Sequence, residues 1–308
     1  MAPELIIGYD STEQAEDAMA LGRLLADALA LRITVATVLP TPGRGMSPEE
    51  ASAKACEGLR EVIAERLEGF EAEPVACFDR SPARGLYKLA GERGAALIVV
   101  GSTHRGPVGR VLRGSVGDNL LNGAPCAVAV APRGYAREPE RRLLRVGAAF
   151  DGGEESRAAL ATAIGLAGRL RARLSVVAVA EPAPVGYGTT VAVLTAGDWD
   201  AFEVEAKQQI LDEALASVPD DMPVEGRMRR GPAAPELVEA SEELDLLVLG
   251  SRGYGPVRRT LLGSTAAAVI DEAHCPVLVL PRGAGTDPLG IAYAQEREQT
   301  GSGESASA

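Results

Sequence analysis

Gly250-Ser251-Arg252-Gly253, nine residues from Tyr254 to Leu262, then Gly263-Ser264: this stretch decides the fold, because the chain carries a second copy of it. Without a gap, Gly101-Ser102-Thr103-His104 aligns to its start, Arg105 to Arg113 to its middle and Gly114-Ser115 to its end, with His104 standing where the other copy has Gly253. Each copy follows an aliphatic run, Leu97-Ile98-Val99-Val100 in one case and Leu246-Leu247-Val248-Leu249 in the other. A buried strand that gives way through glycine to a helix is where phosphate-binding loops occur. One fold unit has been duplicated.

Working outward, the order of elements also repeats. Leu5-Ile6-Ile7-Gly8-Tyr9 ends in Asp10 and Val146-Gly147-Ala148-Ala149-Phe150 ends in Asp151, and positions 10 and 151 lie 141 residues apart. Helices with acidic first turns follow, Ala15 to Leu29 and Ala158 to Leu170, then strands Ile33 to Leu39 and Leu174 to Ala180. After Pro/Gly-rich turns come long amphipathic helices, about Pro48 to Leu67 with Ser47 as cap and about Trp199 to Ser217. Trp199 and Phe202, three apart on one face, read as core anchors. Third strands fall near Val75 to Phe78 and Val224 to Met228, and Ser81-Pro82 and Gly231-Pro232 open the next helices. This alternation predicts a mostly parallel α/β sheet with ligands at the carboxyl ends of its strands. The spacing divides the chain into residues 1–134, a charged linker at 135–142, a second unit at 143–283 and a polar tail at 284–308 read as disordered.

Composition narrows the function classes. Against 31 Lys and Arg stand 43 Asp and Glu, a net charge of −12, which opposes attraction to nucleic acid. No stretch is apolar over the roughly 18 residues needed to span a bilayer, and Met1-Ala2-Pro3-Glu4 runs into a strand without a basic leader. The expectation is a cytoplasmic chain with neither nucleic acid nor membrane as partner. Cys56, Cys77, Cys126 and Cys275 lack metal-ligand or redox spacing, and the equivalent Cys126 and Cys275 read as small buried side chains at strand starts.

The strand-final aspartates, the G-x2-G-x9-G-S loop and the closing Cys275-Pro276-Val277-Leu278-Val279 resemble the universal stress protein family, over residues 3–134 and 143–283. The resemblance implies two tandem Rossmann-like domains of the adenine nucleotide alpha hydrolase-like type, each a mostly parallel five-stranded sheet flanked by helices. It implies ATP, with or without Mg²⁺, as ligand, and a nucleotide-dependent regulator of the stress response. The site it implies in the second half comprises Asp151 and Val179 at the nucleoside end with Gly250, Gly253, Gly263, Ser264 and Thr265 around the phosphates. The matching first-half positions are Asp10, Val38, Gly101, His104, Gly114, Ser115 and Val116.

The residues themselves leave alternatives open. Gly250 and Gly253 can adopt positive φ and let a phosphate close to the main chain, yet a strand-to-helix turn needs glycine merely to pack. Asp10 and Asp151 either face a ligand or cap helices; Arg258 and Arg259 either approach phosphates or are solvated. His104 crowds the first loop with a ring or donates to a phosphate, and Gly106 or Gly109 relocates the turn. The complete glycine spacing favours the second half as the main site. His104 and His274 are the only histidines and no catalytic set repeats, so at most slow ATP hydrolysis is expected, with Asp10 or Asp151 as the only placed carboxylate for a metal. Two rival enzymes lose, since neither a phosphate loop of the ATP-pyrophosphatase type nor G-x-G-x-x-G follows the first strand. A non-binding dimerisation scaffold remains as the alternative. The terminal strands, Ala127 to Ala131 and Pro276 to Leu280, would otherwise leave open edges, so the halves are expected to pair through them within one chain, between chains as a homodimer, or both.

Overall fold

The structure, a computed structural model, describes residues 3–41, 46–103, 108–111, 115–121, 124–138, 140–182, 196–251, 262–282 and 289. Both halves build the expected alternation. The first runs β1 (Glu4–Gly8), α1 (Glu13–Leu29), β2 (Arg32–Leu39), α2 (Pro48–Arg66), β3 (Ala72–Phe78), α3 (Pro82–Arg93), β4 (Leu97–Gly101), α4 (Ser115–Leu121) and β5 (Ala127–Ala131). The second repeats it as β6 (Arg145–Ala149), α5 (Glu154–Leu170), β7 (Arg173–Ala180), α6 (Ala196–Ala216), β8 (Val224–Arg230), α7 (Ala233–Ala240), β9 (Leu246–Gly250), α8 (Ser264–Glu272) and β10 (Val277–Leu280).

Local chemistry sets the helix ends. Thr12, held by Asp10 Oδ1 at 2.6 Å, caps α1 by accepting the Ala15 N–H. Ser47 and Glu50 close a reciprocal capping box on α2. At their C-termini α1 and α5 end in left-handed residues without glycine, Ala30 and Arg171, again 141 positions apart.

The strands form one ten-stranded sheet in the order β3-β2-β1-β4-β5-β10-β9-β6-β7-β8, parallel within each half and antiparallel only where β5 meets β10. The halves therefore join inside the chain, with Val128 opposite Val279 and Val130 opposite Val277. Alternation along the strands sends Leu5, Ile7 and Val99 to one face, under α1, α2, α5 and α6, and Ile6, Ile98 and Val128 to the other, under α3, α4, α7 and α8. Where the first unit passes into the linker, Gly134 and Ala136 each donate a backbone N–H to the buried Asp17 carboxylate at 2.8 Å.

Two readings need correction. Phe202 is 60% exposed and is not a core anchor, because its helix position faces away from the sheet; the Trp199 side chain lies outside the described residues. Of the stretch 284–308 only Leu289 is described, and it is buried among core residues, so at that point the chain is no free tail.

Candidate functional site

In each half the sheet order places a switch point between the first and fourth strands: crossovers leave β1 and β4 toward opposite faces, opening a crevice at their carboxyl ends. A cavity of about 310 Å³ occupies this crevice in the first half. It is lined by Gly8, Tyr9 and Asp10 after β1, Ala36 and Val38 of β2, Val100 and Gly101 of β4, and Val116 and Gly117 of α4. Its counterpart in the second half, about 180 Å³, is lined by Ala149, Phe150, Asp151, Val177, Val179, Leu249, Gly250, Thr265 and Ala266. The fold thus gathers Asp10, Val38, Gly101 and Val116 around one cavity and Asp151, Val179, Gly250 and Thr265 around the other.

Neither aspartate is itself the helix cap. Asp10 accepts from the Thr12 hydroxyl and Asp151 Oδ1 accepts the Gly153 N–H at 2.8 Å, while Thr12 and Gly153 hold the N-cap positions. Each carboxylate is fixed by a short turn at the cavity mouth.

Of the two readings of Gly101 and Gly250, close packing is the one the structure shows. Neither has positive φ. Instead the helix after the first strand lies directly on them: a Cβ on Gly101 would sit 2.0 Å from the Gln14 carbonyl oxygen, and one on Gly250 would sit 2.6 Å from Glu155 Cβ. They let the N-termini of α1 and α5 approach the sheet and so shape the crevice. Among the described residues of the first loop, positive φ occurs at Gly109, at +83°. Gly263 is the N-cap of α8, donates its N–H to the Ser251 carbonyl at 2.6 Å and offers no side-chain cap, so Ser264 and Thr265 begin a helix whose first turn lacks one. Ser115 begins α4. His104, Gly114 and Gly253, together with Gly106, Arg258 and Arg259, lie outside the described residues.

Several residues at the cavities escaped the sequence reading. The Tyr9 hydroxyl donates to Glu16 at 2.5 Å, and Glu16 pairs with Arg66 at 3.1 Å; burial and the Glu16 carboxylate push the phenol's pKa upward. Phe150 takes the matching position in the second half, where Glu181 and Lys207 also reach the cavity. The first half has Pro40 at the position of Glu181. Laying the halves over one another at the 141-residue offset would have exposed these differences.

The remaining candidates are structural. Cys126 and Cys275 are buried, and burial pushes the Cys126 thiol up to about 12 and the Cys275 thiol higher still. His274 donates its backbone N–H to Ser241 Oγ and sets its ring 3.3 Å from Glu242. Among the described residues no helix is long and apolar enough to cross a membrane.

Comparison with known proteins identifies the architecture. The model of the universal stress protein family matches twice, over residues 1–132 and 143–281. The chain belongs to the universal stress protein family. Similar relatives include Universal stress protein Rv2319c of Mycobacterium tuberculosis, 28% identical over 295 residues that cover 90% of this chain and 99% of that one. Another is Universal stress protein Rv2005c of the same species, 33% identical over 202 residues, 65% of each chain. Among solved structures, a universal stress protein from Archaeoglobus fulgidus superposes with a TM-score of 0.67 at 21% identity, covering 91% of this chain and 98% of that one. A putative universal stress protein from Pseudomonas aeruginosa superposes with a TM-score of 0.64 at 18% identity, covering 94% and 95%. At these identities the structural likeness establishes the family's tandem α/β fold.

Proposed function

We propose that this universal stress protein binds an adenine nucleotide at the strand-end crevice and signals through its occupancy. The observation that carries the reading is the repeated cavity itself. In both halves a strand-final aspartate, a β2 or β7 valine, a helix-packing glycine and the start of a helix converge on one opening at a topological switch point. The apolar walls suit a base, and the first turn of α8 suits an anion. Mg²⁺ accompanying the phosphates would be held by Asp10 or Asp151.

The reading is tested by denaturing purified full-length protein and identifying released small molecules by mass spectrometry, followed by back-titration with ATP. The expected result is an adenine nucleotide that rebinds saturably. A chain that releases none and takes up no ATP would instead act through its sheet and surfaces alone, as a scaffold.

A further inference from the structure

The two cavities are built on the same frame but filled differently. Gly8 and Ala36 are register neighbours on β1 and β2; the equivalent neighbours on β6 and β7 are Ala149 and Val177. A Cβ at Gly8 would point at the side chains of Leu86 and Val100, 3.0 and 3.4 Å away, both of them cavity walls. One residue before the packing glycine, Val100 is replaced by Leu249, and three residues into the following helix Gly117 is replaced by Ala266. Each of these four changes adds carbon to the second cavity, against one that removes some, Ala233 at the start of α7 where α3 begins with Pro82. The second cavity is the smaller of the two, about 180 Å³ against about 310 Å³. Small-molecule sites generally span roughly 300–1,000 Å³, a range the first cavity reaches by itself, whereas the second joins a wider cleft beside α6 at Glu181. Glu181 adds a carboxylate to the second cavity, where its Oε1 accepts the Ala233 N–H at 3.1 Å.

The geometry points to unequal sites: the first-half cavity accepts the purine base, and Val177 with Ala149, Leu249 and Ala266 excludes a purine from the second. This rests on the adenine-nucleotide reading above and assigns it to one half. It also runs against the expectation drawn from the loops, in which the complete glycine spacing favoured the second half. Glycine spacing governs how closely phosphates approach, whereas the strand-end side chains govern whether a base fits at all. In a close-packed wall each added methyl must displace ligand or force a neighbour to move.

The test is calorimetric titration of ATP into nucleotide-stripped full-length protein, wild type and variants that exchange side chains between the halves. Each exchange installs the residue that the same fold already holds at the equivalent position, Val177→Leu is added to crowd the second cavity further, and thermal melting confirms that each variant is folded. Wild type is expected to bind one ATP per chain. Ala36→Val and, independently, Val100→Leu are expected to weaken that site about tenfold or more. Val177→Ala with Leu249→Val is expected to leave the first site unchanged and raise the stoichiometry toward two. Two ATP per wild-type chain, or binding that survives Ala36→Val and Val100→Leu but is lost in Val177→Leu, would overturn the assignment while leaving the nucleotide reading intact. No ATP uptake by wild type would overturn both.

Discussion

Gly101 illustrates how one absent methyl group connects packing to the site. With Gln14 O only 2.0 Å from where a Cβ would lie, Gly101→Ala must push α1 off the end of β4. The expected loss is about 1–3 kcal/mol in urea unfolding, the usual cost of overpacking; a change below about 0.5 kcal/mol would contradict the close approach. Asp79, at the foot of α3, carries a pH signature. Its buried carboxylate takes a forked contact from Arg84, accepts the Ser81 N–H and meets Lys88 at 3.3 Å, and Arg84 above all holds its pKa well below the usual carboxylate range. A folded pKa below the unfolded one gives stabilisation that is complete above about pH 3.9 and is lost as pH falls through the lowered value. Asp79→Asn should therefore melt below wild type at neutral pH, and the gap should close progressively in acid below about pH 4. A gap that ignores pH would remove the carboxylate from the account.

At the scale of elements, the seam between β5 and β10 does what each terminal strand cannot do alone: it removes an apolar edge. Val128 and Val279 face one another there and are each 2% exposed. Val128→Lys buries an ammonium without a partner and should cost about 3 kcal/mol or more by calorimetry; an unchanged melting temperature would show that the seam does not hold the halves together. The order of elements, the Ser47 cap on α2 and this seam were legible in sequence because each rests on local chemistry or on a repeated apolar pattern. For Gly101 and Gly250 packing was legible as one of two readings, but not its partner, since the helices that lie on them, α1 and α5, are far away in sequence. Phe202 misled for a related reason: three-residue spacing places two aromatics on one face of a helix but does not say whether that face meets the sheet. The narrowing of the second cavity arises from four separated positions and becomes visible only once the register brings Ala149 beside Val177.

In the whole molecule, Asp17 ties the linker to α1, and its equivalent in the second half is Ala158, so the tie belongs to the tandem arrangement and not to the repeated unit. Asp17→Ala would leave the Gly134 and Ala136 N–H groups without an acceptor, at a cost of about 1–3 kcal/mol. Faster cleavage of the linker in limited proteolysis should accompany it, and an unchanged cleavage rate would show that other contacts hold the segment. With the linker anchored and the seam closed, both crevices open from a single ten-stranded sheet, and the claim that matters most is where an adenine nucleotide sits on it. Hydrogen–deuterium exchange of the full-length protein with and without ATP locates that directly. ATP-dependent protection is expected at the end of β1, the first turn of α1 and the start of α4, with little change at β6, α5 and α8. Protection confined to the second half would contradict the assignment of the base to the first cavity, and no protection at either crevice would contradict nucleotide binding by this fold.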